Sequence, residues 1–110
     1  MLVVRRQHHS DAHGSEPGFR HPVVIVQSND FNRSQIQTVV VAVITSNLHL
    51  AFAPGNVSLT RRGSGLSRES VVNVSQLLSL DKRVLSERIG KMSNSKLNEV
   101  QDGLRLVLAL

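Results

Sequence analysis

The chain has no cysteine. That excludes a disulfide framework and any thiolate zinc site, and it suits a reducing compartment, so a cytoplasmic location is expected. Long apolar runs are also missing. The longest, residues 39–44, is far short of the ~20 residues that span a bilayer. The opening MLVVRRQHHSD lacks the extended apolar stretch of a secretory signal, so none is expected. Aromatics are scarce: Phe19, Phe31 and Phe52, with no Trp or Tyr. The core must be built from Val, Leu and Ile, and the usual aromatic platform for stacking single-stranded bases is nearly absent.

What is present points to one small domain. At 110 residues and 40% apolar, the chain can bury a modest core. It is basic, at +5 and a pI near 11.1. The excess is not on one long helix. Residues 60–70 carry Arg61, Arg62 and Arg68 against Glu69, and residues 81–91 carry Lys82, Arg83, Arg88 and Lys91 against Asp81 and Glu87. A polyanion is the favoured partner, most simply a nucleic acid. His8, His9 and His13 invite a metal reading. However, neighbouring residues such as His8 and His9 do not point at one ion in either strand or helix, so a solvated segment is the better account.

Residues 1–13 read as an atypical, poorly ordered lead-in, with at most one short strand at Leu2, Val3 and Val4. Residues 23–28 form an apolar strand, followed by a turn at Asn29, Asp30, Phe31 and Asn32. TVVVAVIT, residues 38–45, is a second strand, β-branched almost throughout. Ala53-Pro54-Gly55-Asn56 is a turn, and residues 56–60 are a short strand. Arg61-Arg62-Gly63-Ser64-Gly65 is a flexible basic loop. SVVNVS, residues 70–75, is a further strand that either continues through Leu80 or bends away. Residues 86–92 are a short strand broken by Gly90. The period then changes: Leu97, Val100, Leu104, Val107 and Leu108 share one face of a helix, with Ser93 or Ser95 as its cap. Gly103 weakens that helix relative to alanine. The expected fold is mainly β, a small barrel with a carboxy-terminal helix.

Five segments carry a resemblance: GSEPGFRHPVVIVQS, TVVVAVITSNL, APGNVSL, SVVNVSQLLSLDK and LNEVQDGLRLVLAL. In this order and spacing, over residues 14–110, they resemble the MazF/PemK family of toxin–antitoxin ribonucleases. The resemblance implies an SH3-like barrel of the type shared with CcdB relatives, and a homodimer. It implies metal-independent cleavage of single-stranded RNA at short sequence motifs, with no cofactor. It also implies growth inhibition held in check by a cognate antitoxin whose tail blocks the RNA groove. The family's catalytic pair is an Arg directly before the Pro of the first long strand and a Thr ending the next strand. Thr45, in AVITSN, matches the second. Here His21 precedes Pro22, and Arg20 stands one place earlier, so either can supply the first. In place of the family's aromatic opening strand this chain has RRQHHSDAH, which implies a missing or rewritten core strand.

The chemistry favours the same residues. RNA cleavage without a metal needs a base, an acid and positive charge at the phosphorane. Arg20 offers a planar fork for phosphate, and is preferred because stabilising developing charge is usually the larger effect. His21 can instead move protons near neutral pH. Thr45 can donate a hydroxyl hydrogen bond to a phosphate oxygen. Glu16 is a weaker candidate for base or orienter. Arg61 and Arg62, flanked by glycines, suit sequence-independent phosphate contact. Phe19 is the one aromatic placed to stack a base. Two other functions fit the same fold: a CcdB-like topoisomerase inhibitor with no enzymatic activity, and a degenerate member that binds antitoxin without cutting. The charge and the Arg20, His21, Thr45 constellation favour the nuclease.

Overall fold

A computed structural model describes residues 2–7, 20–26 and 35–110, with the side chains of residues 2–7 and 20 outside that description. Among the described residues six strands form one sheet: β1 (Leu2–Gln7), β2 (Arg20–Ile25), β3 (Thr38–Thr45), β4 (Val57–Leu59), β5 (Ser70–Asp81) and β6 (Leu85–Lys91). Every pairing is antiparallel, in the order β4-β5-β3-β2-β1-β6. The sheet curls into a half-barrel, and the carboxy-terminal helix α1 (Asn94–Leu108) packs against β4 and β5.

The amino-terminal segment departs from the expected lead-in. Residues 2–7 form β1, paired with β2 on one side and β6 on the other. A strand therefore occupies the place where one was thought lost, and it runs three residues past Val4 through Arg5, Arg6 and Gln7. Its backbone ladders on both sides supply what its short apolar content does not. The histidines at 8, 9 and 13, together with Glu16, Phe19 and the turn at 29–32, lie outside the described residues.

Strand alternation sorts the valines onto two faces. Val24, Ala42, Ile44, Val57, Leu59, Val72 and Val74 belong to one cluster, which Leu66, Met92 and Val100 of α1 complete. Val23, Ile25, Val39 and Val41 form the other, with Leu78, Leu80 and Leu85 against it. Among the described residues the core is thus made from aliphatic side chains on both sides of one sheet, with no aromatic in either cluster.

β5 runs on to Asp81, so Gln76 to Leu80 continue the strand. The continuation includes a bulge. Ala42 pairs with Leu77 but Val43 with Asn73, leaving Val74, Ser75 and Gln76 without partners on β3. Asn56 repairs the ladder there: its Oδ1 accepts the Val74 N–H at 2.9 Å, while its Nδ2 donates to the Leu50 carbonyl at 2.8 Å.

Gly90 does not break β6. The strand passes through it with an irregularity in its pairing to β1. The glycine is needed because the loop after β4 presses on β6: a Cβ at Gly90 would meet the Ser64 carbonyl oxygen at 2.7 Å. This contact sets the loop after one edge strand against the other edge strand.

Ser93 caps α1, its side chain accepting the Lys96 N–H at 3.2 Å. Only the first part of the apolar stripe is core. Val100 is fully buried and Leu104 half-buried, but Val107 and Leu108 are 40% and 51% exposed.

Candidate functional site: a basic groove at the ends of β2 and β3

The groove begins where a ladder stops. β2 and β3 pair through Ile25–Val41, Val24–Ala42 and Val23–Val43. The next residue on β2 is Pro22, which has no N–H to donate. Continuing the same register by two residues sets His21 opposite Thr45. Both line a groove of about 550 Å³ together with Pro22, Val43 and Ile44. The far wall is Leu50 on one side, and Leu66, Ser67, Arg68, Ser70 and Gln76 on the other.

Thr45 is half-buried at the last position of β3, and its Oγ1 accepts the Asn47 N–H at 3.1 Å. That bond uses an oxygen lone pair and holds the side chain, leaving the hydroxyl proton to donate elsewhere. Asn47 then caps the 3-10 helical turn Leu48–Phe52, accepting the His49 N–H at 3.2 Å, and Leu50 of that turn lines the groove. His21 is half-buried. Arg20 is the first residue of β2, its backbone paired with Gln7, immediately beside the groove.

Of the expected site residues, the structure brings His21 and Thr45 together, with the Arg20 backbone adjacent. It separates Arg61 and Arg62 from them. Those two border an open depression of about 540 Å³ with Thr60 and Glu69. The loop that carries them is not the slack segment its glycines suggest. Ser64 Oγ donates to Thr60 O at 2.6 Å, Thr60 Oγ1 donates to Arg62 O at 3.0 Å, and the Arg61 N–H donates to Glu69 Oε2 at 2.9 Å.

Arg68 is the residue missed by sequence reasoning. It lies on the groove wall facing the strand ends, and no carboxylate pairs with its guanidinium among the described residues. One signal was available. Arg68 stands just ahead of a long apolar strand, as Arg20 does, so a basic lead-in occurs twice. The Ser70 hydroxyl, itself buried, donates to the Arg68 carbonyl at 3.0 Å and fixes the backbone there. No cluster of three or more His, Asp or Glu fit to hold a metal occurs among the described residues. No helix among them is long and apolar enough to cross a membrane.

A curled antiparallel sheet with a carboxy-terminal helix against it, opening a groove lined by His21, Thr45 and Arg68 at the ends of two neighbouring strands, defines a class of small half-barrel β-proteins. Comparison with known proteins gives the family. The model for the "PemK-like, MazF-like toxin of type II toxin-antitoxin system" matches residues 4–108, and the chain belongs to that family. The match starts inside β1, which makes that strand part of the family's domain. The chain is 47% identical over 97 residues to "Endoribonuclease MazF2" of Mycobacterium bovis, covering 88% of this chain and 85% of that protein. Its fold is similar to "Mycobacterium tuberculosis toxin MazF-mt6", with a TM-score of 0.81 at 18% identity over 100% of this chain and 98% of that one. It is also similar to an "Endoribonuclease in complex with its cognate antitoxin from Mycobacterial species", at a TM-score of 0.77 and 22% identity over 99% and 92%.

Proposed function

We propose that this chain is the endoribonuclease toxin of a type II toxin–antitoxin pair, cutting single-stranded RNA at short sequence motifs in the groove between β2 and β3. The observation that carries the reading is the opposition of His21 and Thr45 across the ladder end, with Arg20 next to one and Arg68 on the facing wall. The identity to a mycobacterial endoribonuclease supports it.

In the reaction, the ribose 2′-oxygen attacks phosphorus. The new O2′–P bond forms as the P–O5′ bond breaks, the 2′-hydroxyl proton passes to a base, and the 5′-oxygen receives one from an acid. The products are a 2′,3′-cyclic phosphate and a 5′-hydroxyl. Charge gathers on the non-bridging oxygens, where a fixed hydroxyl and a guanidinium are most effective. Thr45 donates its free hydroxyl proton to one of these oxygens. Arg20 supplies the cation, with its fork geometry matched to phosphate. His21 is placed to move a proton. Arg61 and Arg62 hold backbone phosphates farther along the strand, and Phe19 stacks a base.

The chain acts as a homodimer in the cytoplasm. It is restrained by an antitoxin whose acidic, partly apolar tail competes with RNA for the groove. The solved relative bound to its antitoxin supports such a partner. The test incubates purified protein with a mixed RNA pool, and separately with supercoiled DNA and gyrase, and maps the ends of any RNA fragments. Fragments with a shared motif at their ends are expected. Intact RNA together with inhibited gyrase would replace this reading with that of a topoisomerase inhibitor, and inertness in both would make the chain a non-cutting antitoxin binder.

A further inference from the structure

The loop between β4 and β5 has two flanks, and only one belongs to the groove. Leu66, Ser67 and Arg68 line the groove. On its other side, Thr60, Arg62 and Ser64 wall a second cavity of about 190 Å³, closed by Lys91, Ser93 and Lys96. Lys91 ends β6, and Lys96 sits in the first turn of α1. Three cations from three separate elements thus converge on one small space. The depression that holds Arg61 and Glu69 shares Thr60 and Arg62 with the second cavity, and Glu69 is the chain neighbour of Arg68 and Ser70 on the groove wall.

The charges in this cavity are poorly compensated. Among the described residues no carboxylate pairs with Arg62 or Lys91, and the one acid recorded at the site is Glu99, 3.3 Å from Lys96. Glu69 is occupied by the Arg61 N–H. The loop that presents Arg62 is fixed by its own hydrogen bonds and by the seat of Gly65 on Ile89, so little ordering cost remains for a ligand to meet. The walls hold no aromatic ring, so a base has nothing to stack on, whereas an anion has three donors.

We infer that the Arg62, Lys91 and Lys96 cavity is a phosphate subsite that grips the RNA backbone beyond the cut site. The strand leaves the groove over the Arg61–Glu69 saddle and gains affinity there without any sequence information. The inference rests on the RNA-cleaving reading above.

Fluorescence anisotropy with two random-sequence RNA pools, 2′-O-methylated throughout so that neither is cut, tests it. One pool is short, about 5 nucleotides, and fills only the groove; the other, about 20 nucleotides, reaches the subsite. The Lys91→Ala/Lys96→Ala double variant should bind the long pool roughly five-fold more weakly at about 0.1 M salt. The slope of log affinity against log salt should flatten by about 1.4, for two phosphates at about 0.7 each in a single strand. The short pool should bind as it does to the wild type. Lys91→Arg/Lys96→Arg should restore the long-pool affinity, and unchanged thermal melting of both variants confirms the fold. Equal losses for the two pools, or none for either, would overturn the subsite. So would a variant that keeps its RNA affinity but loses affinity for a poly-glutamate peptide. Because these RNAs cannot be cut, the result is independent of catalysis: failure of the wild type to cut an unmodified pool would remove the nuclease reading alone.

Discussion

Replacing Gly103 with alanine should destabilise the protein, against the usual rule for a helix interior. Within a helix the change normally gains about 1 kcal/mol. Here the helix backbone lies against the turn before β4. A Cβ at Gly103 would stand 3.0 Å from the Gly55 carbonyl carbon and 3.2 Å from its Cα, and nearer still to the carbonyl oxygen. Those atoms are backbone, in a turn where Gly55 has φ +83°, so no side-chain rotation relieves the clash. Overpacking costs about 1–3 kcal/mol, and backbone against backbone belongs at the upper end. The helix gain offsets about 1 of roughly 3, leaving a net loss of about 2 kcal/mol. For a domain near this size that lowers Tm by roughly 10 °C. The effect should reach the site as well. Asn56, next to Gly55, holds the Leu50 carbonyl, and Leu50 is a wall of the groove. Thermal unfolding followed by circular dichroism gives the first quantity, and RNA cleavage well below Tm gives the second. An unchanged or raised Tm would refute the packing argument.

Thr45→Ala should lower cleavage by about 10²-fold with little change in Tm, while Thr45→Ser keeps most activity; equal losses in both variants would show that the methyl group matters and not the hydroxyl. Asn56→Asp keeps an acceptor for the Val74 N–H but loses the donor to the Leu50 carbonyl, at a cost of about 1–3 kcal/mol at neutral pH. The new carboxyl is favoured in its neutral, donating form, which raises its folded-state pKa; its stability should be fully present below about pH 4 and fade as pH rises through the folded value, so a variant whose Tm deficit does not shrink in acid contradicts this. Cleavage should survive EDTA and leave 2′,3′-cyclic phosphate ends, and complete loss on chelation would sink the 2′-hydroxyl route as written. Arg20→Ala should be severely impaired at every pH if Arg20 is the cation, because a guanidinium stays protonated. If His21 is the working group, His21→Ala abolishes a pH-dependent activity that Arg20→Ala largely retains.

Local pattern was enough wherever local chemistry decides the structure. TVVVAVIT becomes β3 with both ends as read, because a β-branched run bounded by polar residues has little alternative. Ala53-Pro54-Gly55-Asn56 turns, and Ser93 caps α1, for reasons contained within four residues. Pattern failed where a distant segment decides. Gly90 reads as a breaker, yet it sits inside β6 because Ser64, far away in sequence, approaches too closely for any side chain. Residues 1–13 read as a lead-in with at most a short strand at Leu2, Val3 and Val4, yet ladders to β2 and β6 on both flanks carry β1 through Gln7. The apolar stripe of α1 promised core along its whole length, but Val107 and Leu108 stay exposed.

The groove divides the same way. His21 and Thr45 are visible in sequence because each is set by one strand: the proline ends the ladder, and the threonine ends the β-branched run. Their opposition follows from a register that three valine-rich pairs already fix. Arg68 has no such marker. It reaches the groove because the β4–β5 loop folds back on itself, with Glu69 taking the Arg61 N–H across eight positions. That one bond joins the two ends of the loop. The segment from Leu66 to Ser70 can then face the strand ends while Arg62 and Ser64 face β6 and α1. The basic residues of 60–70 look like a single charge run in the sequence. In the fold they are distributed to opposite flanks, Arg68 toward the strand ends and Arg62 toward β6 and α1.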